Sequence, residues 1–462
     1  MPKGTRKVIF VFDESHLTHY GGLWLMQQFC DRLRLRSLLT RCIEIKQREG
    51  LYHPSVLLLA LLWGIIIGMR RISKTETLQY DGTILEMLGL DRFPDAGTLR
   101  RFLKRMAPRN IRQIAQLHDS VRAWLFSLPE ERHSLVFDVD SVVLVVYGHA
   151  EGARVGYNPK KPGRRSYHPL FCFESTFQEF WHGIWRRGDA GSSTGIIPFL
   201  KVCLAKVPAT VKRNRLRFRM DSGFYGKRAV HFLEAAGCGY VIVAKGNRKI
   251  QAAAQRVRFT ELKSQWQYGE FEYEPHGWKT PHRFVVVRRP IPDDPEEAKQ
   301  LTLFKDRRYS YHVLVTNLEL DPWRVYLFYS GRATIEKSNR EFLYDYPLGK
   351  IPTQSWKANV AFFQLVLLAA NLVHWFKRLC LDQRYTTATV ETIRNDFLAI
   401  PAKLVRAKSR TLIKLPAAYA HREEFQRASR AVGAFHLPEK FRICPKADRR
   451  LRRTETKNVK KP

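Results

Sequence analysis

The stretch HSLVFDVDSVVLVVYGH, His133 to His149, alternates apolar and polar side chains and is rich in β-branched residues, the pattern of a strand. It carries two acids, Asp138 and Asp140. Residues two apart on a strand project from one face, so both carboxylates are expected on the same side of a sheet, near its centre. The elements after this strand decide the fold. Strand-like runs come at PLFCFESTFQEFWHGIWRRG (169–188), a helix at SSTGIIPFLKVCLAKV (192–207), a strand at LRFRMD (216–221), a helix at GKRAVHFLEAAG (226–237) and a strand at GYVIVAK (239–245).

Three strands, helix, strand, helix, strand is the order of an α/β, RNase H-like core, with antiparallel hairpins first and helical crossovers afterwards. Working outward, residues 1–130 are expected to be a helical N-terminal DNA-binding region and 131–245 the first part of the catalytic core. In PDAGTLRRFLKRMAP (94–108), Leu99, Phe102, Leu103 and Met106 recur at helical spacing, while Arg100, Arg101, Lys104 and Arg105 gather on the remaining surface. A helix laid on DNA, through Arg101 and Lys104, and a solvated basic face both fit this pattern. Residues 246–322 alternate in WQYGEFEYE, RFVVVRR and YSYHVLVTNL and predict an all-β insertion. Residues 323–385 predict the helical second part of the core, with one helix through DPWRVYLFYSGRATIEKSNREFLYDY (321–346). The remainder, 386–462, reads as a C-terminal helical region with a basic tail in which Lys440 to Pro462 hold ten Lys and Arg and two acids.

Composition narrows the function. The 462 residues include 79 Lys and Arg against 43 Asp and Glu, a formal net charge of +36. With 45% hydrophobic and 12% aromatic residues, that charge sits on a folded protein rather than a disordered polycation. A nucleic acid is the partner such charge suits best. The seven cysteines are scattered without a Cys-x-x-Cys pair, which predicts reduced thiols and neither a zinc site nor a disulfide framework. The apolar runs SVLLLALLWGIIIGM (55–69) and VAFFQLVLLAANLVHWF (360–376) are expected as buried helices rather than membrane spans.

Asp221 ends the strand expected beside Asp138 and Asp140. Glu336 supplies a third acid, and Tyr329, Arg332 and Glu336 share a helical face at i, i+3 and i+7. Three carboxylates brought together repel one another unless a cation joins them. Magnesium takes such oxygen ligands and supports in-line phosphodiester cleavage. Taken singly, Asp221-Ser-Gly also suits an Asx turn, and Glu336 also suits a surface pair with Arg340.

DVDS (138–141), YHPL (167–170), RMDSGFYG (219–226) and YSGRATIE (329–336), in that order, resemble the DDE transposases of bacterial insertion sequences. The similarity is to the branch with a β-insertion and a Tyr-x2-Arg-x3-Glu-x6-Lys signature. It spans nearly the whole chain, since HLTHYGGLWLMQQFCDRL (16–33), PDAGTLRRFL (94–103) and IPAKLVRAKSRTLIKLP (400–416) also look like segments of that branch. The resemblance implies a transposase that cleaves and joins DNA at the ends of a mobile element, by cut-and-paste transposition, at one Mg2+ site where Mn2+ can substitute. Asp140, Asp221 and Glu336 match its catalytic and metal-binding triad. Asp138 is the alternative first acid. Tyr329 and Arg332 match positions used on the terminal phosphate and strand. The implied partners are double-stranded DNA, the inverted repeats at the element's ends, target DNA and a second copy of the chain, in the bacterial cytoplasm and on the nucleoid when bound. Three positions depart from the pattern: Val142 stands for Thr, Ser166 for Gly and Leu343 for the signature Lys. The loop RVGYNPKKPGRRSYHP (154–169) offers Lys160, Lys161, Arg164 and Arg165 to a DNA backbone, although a solvated hairpin fits it as well. Two rival readings remain: a transposase-derived DNA-binding protein with weakened or lost catalysis, and a non-specific nuclease.

Overall fold

The strand that carries Asp138 and Asp140 lies inside a nine-stranded mixed sheet. Its strands, in chain order, are β1 (Leu135–Ser141), β2 (Leu170–Glu174), β3 (Glu179–Ile184), β4 (Leu216–Met220), β5 (Gly239–Val243), β6 (Thr260–Glu261), β7 (Gln267–Tyr273), β8 (His282–Pro290) and β9 (Tyr309–Thr316). Across the sheet they run β6-β7-β8-β9-β5-β4-β1-β2-β3. The computed structural model describes residues 8–14, 16–45, 50–126, 134–159, 161–262, 265–291, 308–408 and 410–436. The chain forms two compact units, Ala115–Asn371, which holds this sheet, and Met1–Ile114 together with Leu372–Pro462.

The strands β1, β2 and β3 are antiparallel neighbours, whereas β1, β4 and β5 run parallel. One face of the sheet carries Phe137, Val139, Phe218, Met220 and Ile242, covered by helices α1 (Ile196–Ala205) and α2 (Lys227–Ala235) through Phe199, Leu200, Cys203, Val230 and Leu233. By the period of two, Asp138, Asp140 and Arg219 project from the opposite face. On that side α3 (Pro322–Ser330) lays Val325 against Val241, Val285, Val287 and Leu314. Phe342 of α4 (Ala333–Tyr344) stacks on Phe171 and lies 4.0 Å, ring to ring, from Phe180. Truncating a buried aromatic of this kind costs about 3–5 kcal/mol, so α4 is firmly seated over β2 and β3.

Two expectations change. The described strands within 246–322 continue the same sheet, because β9 pairs with β5 and β8 and β7 come next beyond it, and a helix, Arg248–Gln255, precedes them. The strands β8 and β9 are apolar on both faces, with Phe284, Val286, Val313 and Val315 toward one core and Val285, Val287 and Leu314 toward the other, so they lie within the sheet. The helix expected over 321–346 is broken between Ser330 and Ala333. Arg219 causes the break: its Nη1 donates to the Phe328 carbonyl at 2.8 Å, and a Cβ at Gly331 would lie 2.4 Å from that same nitrogen.

The other unit is mainly helical, with helices Leu23–Arg32, Leu35–Cys42, Pro54–Ile66, Gly82–Leu88, Ala96–Arg105 and Arg422–Ala434. Its C-terminal part is not all helix. A hairpin of Ala402–Ala407 and Arg410–Lys414 pairs with Leu17–Thr18. Gly22 sits so close to this region that a Cβ would lie 1.8 Å from the Phe397 carbonyl oxygen. The segment 55–69 supplies the buried helix Pro54–Ile66. The helix Trp356–Cys380 is long and apolar enough to cross a membrane, and 89% of its apolar window is buried within the protein.

Candidate active site

Asp138 and Asp140 share a face of β1 but not a fate. Asp138 is fully buried, and its carboxylate accepts Nε and Nη2 of Arg219, each at 2.7 Å, and the hydroxyl of Ser175. Arg219 stands directly across from it on β4. The pair is closed, each charge neutralised by the other and the guanidinium also satisfied by Phe328.

One step further along the strands the situation reverses. Val139 pairs with Met220, so Asp140 and Asp221 come next, side by side at the C-terminal ends of parallel neighbours, the usual position of ligand sites in such sheets. Asp140 Oδ1 accepts from the Ser141 amide at 2.9 Å and forms an ion pair with Arg332, 3.0 Å from its Nη2, while Oδ2 accepts from Asn339 at 2.8 Å. Arg332, buried at the head of α4, also places Nη1 3.7 Å from Glu336. Glu336 is largely exposed, in the first turn of that helix. Asp221 accepts the Gly223 amide at 2.9 Å, an Asx turn that fixes its carboxylate. The ligand atoms of the three acids do not all lie within 4.8 Å of one another; Arg332 lies between Asp140 and Glu336.

The electrostatics arise from this crowding. Burial, then the charges of Asp221 and Glu336, push the Asp140 carboxyl up to about 6 against the pull of Arg332. Tyr329 is pushed up to about 12, first by burial and then by the same carboxylates. Arg332 loses from burial, but Asp140, Tyr329 and Asp221 more than restore it and hold its pKa above the ordinary range. Three carboxylates face one guanidinium, an excess of negative charge that one divalent ion would balance. The donors are hard oxygens of the kind magnesium takes, so Asp140, Asp221 and Glu336 are a fitting set for such an ion.

Sequence reasoning missed the groups that hold this arrangement. Asn339 lies three residues after Glu336 and seven after Arg332, so the spacing that grouped Tyr329, Arg332 and Glu336 also reaches it. Arg219 carries no local signal, since its partners are Asp138 and Phe328. Arg186 is buried and donates to the carbonyls of His168, Gly191, Ser192 and Thr194. It thereby fixes the loop that a Cβ at Gly223 would strike, 2.8 Å from Ser192.

The remaining expected DNA contacts lie on surfaces. Lys161, Arg164 and Arg165 are exposed, with Lys161 hydrogen-bonded to the Tyr147 hydroxyl and Arg165 3.3 Å from His149; Lys160 lies outside the described residues. In the other unit Lys104 is exposed, as is Arg101, which donates to Thr98 at 2.9 Å. Of the three departures, Val142 and Ser166 are buried and Leu343 is half-buried.

Residues 1–435 match the family described as Transposase DDE domain group 1. The chain belongs to that family. It is therefore a DDE transposase, an enzyme of the polynucleotidyl-transferase or nuclease kind, and its family works on DNA with divalent metals. Among solved structures it is similar to the piggyBac transposase in a synaptic complex with hairpin DNA, at 11% identity and a TM-score of 0.43 over 97% of this chain and 88% of that one. No curated protein matches it.

Proposed function

We propose that this DDE transposase is encoded by a bacterial insertion sequence, cleaves the ends of that element and joins them to target DNA by a cut-and-paste route, using Asp140, Asp221 and Glu336 on an RNase H-like core. The observation that carries the reading is the pair of acids at adjacent ends of β1 and β4, set against Arg332 and Glu336 at the head of α4. The strand order β3-β2-β1-β4-β5 supports the assignment of the core. Bound Mg2+, or Mn2+ in its place, would supply the charge that activates a nucleophile and stabilises the leaving oxygen.

The chain's own groups do the rest. Asn339 and the Ser141 amide hold the Asp140 carboxylate in one plane, and the Gly223 amide does the same for Asp221. Arg332 offers a planar fork able to pass from a carboxylate to a phosphate. Tyr329 keeps its proton at neutral pH and so remains a hydrogen-bond donor toward a DNA phosphate. The exposed Lys161, Arg164 and Arg165, with Arg101 and Lys104, track the backbone of the inverted repeats. The active species is a homodimer in the cytoplasm that holds both ends and the target together.

The test is strand cleavage of a duplex carrying the repeats that flank the gene, with Mg2+. Glu336→Gln should bind this duplex as wild type does and lose nicking, because a metal-holding carboxylate is gone. A Glu336→Gln protein that nicks its own ends at the normal rate overturns the assignment.

A further inference from the structure

We propose that His231, Glu234 and His282 form a metal site separate from the carboxylates of the active site, a His2Glu centre for zinc that clips α2 to the start of β8. One ligand atom from each of the three residues lies within 4.8 Å of the others. His231 and Glu234 are three apart on α2 and so share a face, and His282 opens β8.

The hydrogen bonds around His282 point to a cation. Its Nδ1 lies 2.9 Å from the Thr280 carbonyl oxygen, which only accepts, so Nδ1 carries a proton. In the neutral ring Nε2 then presents a lone pair, and it faces Glu234 Oε1 at 3.3 Å. Two lone pairs at that distance repel unless a cation joins them. A backbone carbonyl on the far ring nitrogen is also the usual way in which a metal-binding histidine is oriented. Glu234 Oε1 is held in turn by the Tyr240 hydroxyl at 2.9 Å. The Nε2 of His231 is buried and has no hydrogen-bond partner, a cost that a metal bond at that atom would remove.

The rings are already arranged. The two imidazoles stack 5.9 Å apart with planes 9° from parallel. Both meet Trp278 edge-on, at 4.9 Å for His282 and 6.1 Å for His231. Tetrahedral zinc, with bonds of about 2.0–2.1 Å, spaces its ligands roughly 3.4 Å apart, so side-chain rotations of an ångström or so complete the set. Two imidazoles and one carboxylate favour zinc over magnesium or calcium. Glu234 and His282 border a surface cavity of about 580 Å3, which provides entry and leaves a fourth position for water.

The competing account is a proton in place of the metal, making a His282 imidazolium paired with Glu234. Full-length protein stripped with chelator, given Zn2+ and desalted, separates the two by its metal content, and Co2+ absorption reports the geometry. We expect one zinc per chain, tetrahedral Co2+ bands and a melting temperature raised by Zn2+. All three should persist in the Asp140→Asn/Asp221→Asn double variant. Zinc affinity should fall at least tenfold in His231→Ala and in Glu234→Gln, and Glu234→Gln, at a partly exposed position, keeps the test available if His282→Ala fails to fold. Zinc retention unchanged in His231→Ala and Glu234→Gln, or no zinc above background in the wild type, overturns the proposal.

Discussion

Asp138 and Asp140 stand on the same face of the same strand, one residue between them, and the chain treats them in opposite ways. Asp138 meets a single guanidinium at bidentate distance and is sealed. Asp140 meets Arg332 too, yet burial first, and then the charges of Asp221 and Glu336, push its carboxyl up to about 6. Burial is common to both. The two acids differ in whether local charge closes to zero. A closed pair contributes to architecture; an open one leaves negative charge for something that arrives from outside. On the proposed assignment of the site, the step from Asp138 to Asp140 is the boundary between scaffold and chemistry.

The largest effect that sharpens the contrast is on stability. Asp138→Asn leaves Arg219 buried beside a neutral amide and should cost about 3–5 kcal/mol, the usual result of removing one partner of a buried ion pair, read as a lower denaturant midpoint. Arg219 also holds the last turn of α3 at Phe328, so amide exchange should quicken around 328–332. An Asp138→Asn protein as stable as wild type would show that the pair is not closed in the way described.

A smaller effect concerns pH. The folded Asp140 carboxyl titrates near 6, above its ordinary value of 3.8. The folded state therefore binds this proton more tightly than the unfolded chain, and stability falls as pH rises from about 4 to about 6 and is level above that. The difference in stability between wild type and Asp140→Asn should carry this slope, on the order of 1–3 kcal/mol across the window. Glu174, pushed up to about 7 chiefly by burial, remains in both proteins and cancels. A difference that does not vary with pH across this window would show that the folded Asp140 carboxyl is not raised. Divalent-ion binding has the opposite sign, weakening as pH drops through the same range.

The smallest effect is at Leu343, one residue before the end of α4 and half-buried. If its exposed side lies along the cut strand, Leu343→Lys should steepen the dependence of log end affinity on log salt by about one unit. A variant that melts lower and binds no better puts Leu343 in the core, and limits the open region to the head of the helix.

Much of this was legible from residues alone. Period-two alternation exposed β1, and the order of strands and helices after it gave the mixed α/β sheet. The acids stood out because LRFRMD ends on Asp221 and because Glu336 comes one helical turn after Arg332. The features that escaped have a common physical cause, dependence on distant partners. The break in the helix at Gly331 is made by Arg219, more than a hundred residues earlier. The continuation of the sheet into 246–322 depends on β5 and β9 pairing, which neither sequence declares by itself. The grouping of His231, Glu234 and His282 has no cysteine in it and needs a helix and a strand about fifty residues apart to meet.

The division of labour between the two acids is tested most directly by single-turnover nicking of the flanking-repeat duplex with Mg2+, comparing Asp138→Asn and Asp140→Asn at a temperature where both are folded. A closed Asp138 and an open Asp140 predict that Asp138→Asn nicks in proportion to its folded fraction, while Asp140→Asn binds the duplex and does not nick. Nicking retained by Asp140→Asn and lost in fully folded Asp138→Asn would contradict that division and make the buried acid the catalytic one.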